Sequence, residues 1–424
     1  MSETVLHQRI AQALQQSRGQ LTGVLLRLVG PSNLDLAQDI VQDTFIQALE
    51  RWPLDGIPQQ PTAWLTTVAK RKTLDALRAQ DVRLKYAERL AEPLTSEWTV
   101  SSTVEKAFDA AVITDDELRL LFWLSSADMP QHNRLPLVLK TLCGMDAKAV
   151  SRALLLPLET VKKRLVRAKQ AIQSADFSIP EETHLPNALH HVHLALYLMF
   201  NETVNQAGPD LATRELIATT VRGYLRIILD HKEIASSGSY ALMAIIQFHM
   251  ARWPARFDEH GEMVAIDEQN RAIWHTGLFI DAAKLLEQAL DMPQTEASQR
   301  FLLEALITYE HSRASSFTHT QWSLIVDYYH KWYLLEPTPP VAINLAVAQA
   351  QHGDINAALA TLENVDSRYS PAIAARVLAT QAFVSALSKD SIKAKLYRNK
   401  CAAAGLPTKA LAGLDRQIKK LLSD

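Results

Sequence analysis

The residues whose chemistry stands out are cations gathered on one face of a helix. Leu158 to Ile172 places Val161, Leu165, Ala168 and Ile172 at helical spacing and fills the other positions with Lys162, Lys163, Arg164, Arg167 and Lys169. A shorter amphipathic segment, Asp146 to Leu154, comes before it, with a break at Pro157. Two short helices joined by a tight turn, the second of them basic, make a helix-turn-helix, whose second helix lies in a DNA major groove. Glu159, Thr160, Lys162, Lys163, Arg164 and Arg167 project from the apolar stripe and are the candidate DNA contacts. Lys and Arg serve guanine edges and phosphates alike, so residue type leaves base readout and backbone binding both open. A second basic cluster, Lys70, Arg71, Lys72 and Arg78, sits on a helix that starts near Pro61.

No stretch offers a Gly-rich phosphate loop, a nucleophile elbow or a metal-ligand framework, so the expectation is a non-enzyme with no cofactor and no metal. His190, His191 and His193 invite a metal reading beside Tyr197. Only His190 and His193 share a helical face, with no Cys nearby and no acid before Glu202, so the cluster reads as structural or surface. Trp253, Trp274, Trp322 and Trp332 read as core packing. Cys143 and Cys401 lie far apart in the chain, which suits a reduced compartment.

Elements that position these residues are expected to be helical throughout. The 424 residues contain only 13 Gly, and Ala, Leu and Gln abound, so the fold class is all-α. A hydrophobic fraction of 48% with 21% charged residues excludes a disordered chain, and the length suggests several domains of about 150 residues each. The net charge of -2 argues against a nonspecific nucleic-acid coat, so the clustering of cations is what matters. No apolar run reaches the roughly 20 residues of a membrane helix, and no basic head with an apolar run opens the sequence. The chain reads as cytoplasmic and without a membrane contact.

Apolar spacing predicts one helix through Leu21, Val24, Leu25 and Leu28 and a second through Ala37, Val41, Phe45, Ala48 and Trp52. Gly30-Pro-Ser-Asn separates them, and Pro53 to Pro61 is expected to be a loop. A third helix runs through Trp64, Leu65, Val68 and Leu77. These elements make a first domain over residues 1–80, with a linker over 81–114 and the helix-turn-helix unit over 115–177. From 178 to 424 a series of helices is broken by Pro209, Pro254, Pro293, Pro337 and Pro371. Pro340 to Leu362, with small residues and Gly353 at its turn, has the look of a tetratricopeptide-like (TPR-like) hairpin, and Ala372 to Ala402 of another.

Trp64-Leu-Thr-Thr-Val-Ala-Lys-Arg-Lys-Thr-Leu-Asp75, followed by Leu77-Arg78, resembles region 2 of extracytoplasmic-function (ECF) sigma factors, the promoter-recognition subunits of bacterial RNA polymerase. Asp39-Ile-Val-Gln-Asp-Thr-Phe-Ile-Gln-Ala-Leu49 looks like the polymerase-binding helix of that region. Thr160 to Lys162, and Arg164-Leu with Arg167-Ala-Lys, resemble region 4. Leu196-Tyr-Leu-Met-Phe-Asn-Glu202 and Asp267-Glu-Gln-Asn-Arg271 resemble the subgroup with a long TPR-like C-terminal extension, so the likeness spans nearly the whole chain.

The resemblance implies a sigma factor whose partners are core RNA polymerase and promoter DNA. Asp35, Asp39, Gln42 and Asp43, with Glu50, would dock on the clamp helices of the largest polymerase subunit. Lys70, Arg71, Lys72 and Arg78 would hold DNA while the loop from Leu54 to Gln60 pockets an unstacked base, and the basic helix would hold the upstream promoter element. The extension would tune this activity in cis, its concave face open to a protein, a peptide or the sigma core. Two positions depart from the pattern: Leu155 where the turn usually has Gly, and Ala79 where a second arginine often follows Arg78. The rival readings are a polymerase-independent helix-turn-helix regulator with a helical sensor domain, and a TPR-like scaffold that has lost DNA binding.

Overall fold

A computed structural model describes residues 3–78, 110–125, 129–154, 156–173, 175, 177–204, 211–258, 263–365 and 371–423. Every extended regular element among the described residues is a helix, so the chain is all-α. Two compact units emerge, Met1–Ala235 and a second formed by Ser236–Asp258 with Val264–Asp424.

In the first unit, α1 (Glu3–Val29), α2 (Leu34–Asp55) and α3 (Pro61–Arg78) pack on one another. The predicted stripes are buried: Leu21, Val24, Leu25 and Leu28 on α1, and Ala37, Val41, Phe45, Ala48 and Trp52 on α2. The break between α1 and α2 falls at Gly30, whose φ of 84° suits glycine. The loop expected from Pro53 starts later, because α2 runs through Pro53 to Asp55. A proline fixes φ near the helical value and in a last turn costs only one N–H bond. The stop is Gly56, at φ 86°, whose N–H donates to the Trp52 carbonyl at 3.0 Å.

The second set of helices is α4 (Ala110–Leu124), α5 (Gln131–Cys143), α6 (Ala147–Ala153) and α7 (Leu158–Ile172). The sequence extends the linker to residue 114, yet α4 begins at Ala110, since Ala110 and Ala111 are strong helix formers that extend its first turn. The rest of the expected linker, residues 81–109, lies outside the described residues, as do Ala79 and Leu155. Val161, Leu165, Ala168 and Ile172 of α7 are all buried, against α5 and α6.

The sequence puts a domain boundary near residue 177. The compact unit instead continues through α8 (Leu185–Val204) and α9 (Leu211–Asp230), which pack on each other and on α4 and α5. Leu189, Val192, Leu196 and Phe200 of α8 and Ile217, Val221, Leu225 and Ile228 of α9 are buried there. A helix pair with that much apolar surface folds with whatever covers it, and sequence order alone does not say what that is.

The second unit begins with α10 (Ser237–Ala251), opened by a reciprocal cap between Ser236 and Ser239 and buried almost all round. A short α11 (Trp253–Arg256) precedes α12 (Thr276–Asp291) and α13 (Glu296–Arg313), both packed on α10. Then follow α14 (Trp322–Leu335), α15 (Pro339–His352), α16 (Ile355–Glu363), α17 (Pro371–Leu387), α18 (Ser391–Ala403) and α19 (Thr408–Ser423). The α15–α16 hairpin turns at Gly353, φ 101°, and α17–α18 at Lys389, φ 62°. Trp332 joins the core, but Trp253, Trp274 and Trp322, also expected there, are only half-buried. Trp274 lies under arginine guanidiniums and Trp322 borders a cavity, so neither indole is enclosed by apolar neighbours alone.

Candidate nucleic-acid interface

The two basic clusters rest on helices fixed in different ways. On α3, Leu65, Val68, Ala69 and Leu77 are buried, leaving Arg71 exposed and Lys70 and Lys72 half-buried. Arg78 ends the same helix. Trp52, buried at the end of α2, meets Trp64 edge to face at 5.5 Å, which pins both ends of the short connection between α2 and α3. Ser17 on α1 donates to the Thr62 hydroxyl at 3.2 Å and holds the start of α3.

On α7, Lys162, Lys163, Arg167 and Glu159 are exposed, and Arg164 and Thr160 half-buried. Lys162 pairs with Glu159 at 2.8 Å and lowers the pKa of that carboxyl. Asp146 caps α6, accepting from the Ala149 N–H at 2.6 Å. The turn into α7 is closed by Ser151, whose hydroxyl donates to the Leu156 carbonyl at 2.6 Å while its own carbonyl accepts from the Leu156 N–H at 3.0 Å. The Trp123 indole donates to the Ile172 carbonyl at 3.0 Å and secures the far end of the helix.

Acidic candidates lie along α2. Asp35, Asp39, Gln42 and Asp43 are exposed, as the sequence predicts. Asp43 turns toward α3 and pairs with Lys72 at 3.7 Å, so one acidic and one basic candidate touch. Asp35 forms an ion pair with Lys169 of α7, and this contact ties the two sets of helices together. Along the same α2 face as Asp35, Asp39 and Gln42 come Ile46 and Leu49, 44% and 49% exposed, which the acid-centred reading passes over. A period of three to four that switches from acid to aliphatic was the available signal. All five line a groove of about 710 Å³ whose other wall includes Lys140, Thr141 and Leu216. Burial lowers the Lys140 pKa, with the Lys169 ammonium adding to the effect.

Buried polar contacts also join the helices of the first unit. The Arg27 Nε donates to both oxygens of Asp116 at 2.9 and 2.7 Å, and Arg119 adds a third bond, around a carboxylate that is fully buried. Gly23 lies so close to α4 that a Cβ there would stand 2.5 Å from the Asp116 carbonyl oxygen. Arg18 packs its guanidinium over Phe45 at 4.7 Å and fills the space that a side chain at Gly144 would need. Gln15 donates to the Leu142 carbonyl at 2.8 Å and to the Thr220 hydroxyl at 3.0 Å, so α1, α5 and α9 share one side chain. Glu117 of α4, with its carboxyl pushed up to about 8 by burial, lies near Tyr224 of α9 and Gly19 of α1.

His193 is buried within α8, and burial lowers its pKa to about 3; His190 and His191 meet edge to face at 6.0 Å. No group of three or more potential metal ligands occurs among the described residues. No described helix is long and apolar enough to cross a membrane.

Comparison with known families matches residues 14–83 to sigma-70 region 2 and residues 188–290 to a family of unknown function, DUF6596. A protein of Rhizobium meliloti (strain 1021), described as uncharacterized protein R00370, is 31% identical over 363 residues, which cover 84% of this chain and 83% of the relative. No solved structure matches the chain.

Proposed function

Because this chain belongs to the family of that Rhizobium protein and carries sigma-70 region 2, we propose that it is an ECF-type sigma factor acting in the cytoplasm. It binds bacterial core RNA polymerase through Asp35, Asp39, Gln42 and Asp43, extended by Ile46 and Leu49. It holds promoter DNA through Lys70, Arg71, Lys72 and Arg78 on α3 and through Glu159, Thr160, Lys162, Lys163, Arg164 and Arg167 on α7. The C-terminal helices regulate this in cis as a TPR-like extension.

The observation that carries the reading is the adjacency of α2 and α3 within the region 2 match, an acidic and aliphatic face beside a basic one, linked by Asp43 and Lys72. A protein surface that must meet another protein and DNA at once needs both chemistries on one rigid support. Lys72 spreads positive charge toward phosphates while Asp43 keeps its side chain in register. The bonds of Ser151 to Leu156 hold the turn that leads into α7. Its exposed cations can follow a phosphate backbone while Val161 and Leu165 remain in the core.

In vitro transcription with core polymerase and a library of bacterial promoter fragments tests the proposal. Co-purification with core enzyme and initiation from a subset of fragments are expected. Neither core binding nor initiation, with duplex DNA still bound, would replace it with a polymerase-independent regulator; loss of DNA binding as well would leave the scaffold reading.

A further inference from the structure

The second unit contains a cavity of about 650 Å³ that none of the DNA-facing chemistry uses. Its volume is within the range of about 300–1,000 Å³ typical of small-molecule sites. One wall is the face of α15 that carries Asn344, Val347, Ala348 and Gln351, at the i, i+3, i+4, i+7 spacing of a single helical stripe. Aromatic rings line the cavity as well: Phe317, Trp322, Tyr329 and Phe383. Trp322 is held edge to face by Phe317 and by His311, each at 5.3 Å, so this aromatic wall is built before any ligand arrives.

An ion-paired cluster borders this cavity, and further cations lie behind one wall. Lys420 of α19 borders it and is paired with Asp267 at 2.9 Å and Glu268 at 3.4 Å. Behind His311 stand two arginines for which no carboxylate partner occurs among the described residues. Arg271 donates through Nη1 to the carbonyls of His311 at 2.9 Å and Ala314 at 2.8 Å, at the end of α13, while its Nη2 is buried with no hydrogen-bond partner. Arg252, 8% exposed, has Gln269 as its hydrogen-bond partner, at 3.2 Å. Both guanidiniums lie over Trp274, at 4.6 and 5.5 Å from its ring centroid, and the Trp274 Nε1 is buried without a partner.

A buried guanidinium such as that of Arg252 normally faces a counter-charge, because removing an ion from water is costly; Arg271 is half-buried beside it. Among the described residues no carboxylate supplies that counter-charge, while a cavity of ligand size lies on the other side of the imidazole. Burial, then Arg252 and Arg271, hold the His311 pKa down at about 3, which reports the same positive potential from within the wall. Glu304 of α13 acts on Tyr329, two helical turns along α14 from Trp322, so the more positive end of the cavity is the one bounded by His311, in front of Arg252 and Arg271. We propose that this cavity is a binding site for a small organic anion with an apolar, aromatic body. Its acidic group lies toward His311 and Lys420, and its body lies between the aromatic rings and the α15 face.

The site also has a route to the rest of the unit. Arg252 holds Gln269, which in turn donates to the Val264 carbonyl at 2.8 Å. The segment so fixed contributes Ala265, Ile266 and Asp267 to the wall, and α19 closes on it through Lys420. An anion that competes for Lys420 therefore acts on the last helix of the chain. This inference stands apart from the sigma reading, since it concerns residues with no part in DNA or polymerase contact.

The test uses the purified full-length chain and two fluorescent probes, 8-anilinonaphthalene-1-sulfonate and its uncharged analogue N-phenyl-1-naphthylamine. The sulfonate is expected to bind saturably at one site per chain, about tenfold more tightly than the neutral analogue. Val347→Trp fills the cavity from a half-buried position and should abolish binding; Asn344→Trp, from an exposed one, does the same if Val347→Trp fails to fold. Arg271→Gln and Lys420→Gln should each remove most of the preference for the sulfonate. Unsaturable binding, or binding retained in a folded Trp variant, overturns the site. Equal affinity for the two probes, or a preference untouched by Arg271→Gln, overturns its anionic character.

Discussion

Lys169, on the basic helix α7, holds Asp35, at the head of the acidic helix α2, in an ion pair that spans 134 residues of sequence. The Asp35 side chain is 70% exposed, so the pair contributes at most about 1 kcal/mol. It nevertheless occupies a residue proposed to meet polymerase. Any partner that takes Asp35 must displace Lys169 first.

Replacing Lys169 with Gln is therefore expected to leave the melting temperature nearly unchanged and to strengthen core polymerase binding by up to about fivefold, the equivalent of about 1 kcal/mol. Asp35→Asn should weaken it. Titration of labelled protein against core enzyme separates the two. Weaker binding in Lys169→Gln would mean that the ion pair belongs to the binding-competent state.

Gly23 is where α1 comes closest to α4. A methyl group at this position would meet the Asp116 carbonyl oxygen at 2.5 Å, and backbone cannot yield as a side chain does. Gly23→Ala should destabilise the first unit by about 1–3 kcal/mol despite alanine's better helix propensity. Thermal unfolding followed by circular dichroism checks the sign. A stabilised variant would show that the two helices separate easily.

Glu117 makes the first unit sensitive to pH. Its folded-state value is about 8 against an ordinary 4.5, so between these the folded chain keeps a proton that the unfolded chain has released. Stability is greatest below about 4.5 and falls as pH rises toward 8, by up to about 1.4 kcal/mol per unit. Glu117→Gln should flatten that slope and raise the melting point at pH 8. Urea unfolding across this range reads it directly, and an unchanged slope would place the titration elsewhere.

On α7, proposed to face DNA, Arg164→Ala with Arg167→Ala should weaken promoter binding and reduce the slope of log affinity against log salt by about 2, roughly one for each phosphate that is no longer neutralised. Binding measured at several salt concentrations gives the slope. An unchanged slope with relaxed base preference would move these residues from phosphate binding to base readout.

Helical class, the buried stripes of α1, α2 and α7, the position of Gly353 and the exposure of the acidic α2 face were all legible in the sequence. Each follows from spacing along one helix, and periodicity reports that directly. Where helix ends depend on a single backbone angle, legibility failed: α2 passes Pro53 and stops at Gly56 because proline tolerates a last turn and glycine accepts φ 86°. The boundary expected near residue 177 failed for another reason, since α8 and α9 carry apolar faces whose cover is chosen in three dimensions.

By itself, then, the sequence determined the elements and the two basic helices, because local periodicity and charge type are properties of neighbouring residues. Only the tertiary structure decided that Lys169 would reach Asp35, that Gly23 would lie against Asp116, and that Arg271 would reach the His311 carbonyl and Arg252 the Gln269 side chain. Those pairings join residues tens to more than a hundred positions apart. They are set by which apolar faces cover one another, and side-chain charge then follows where that packing places it.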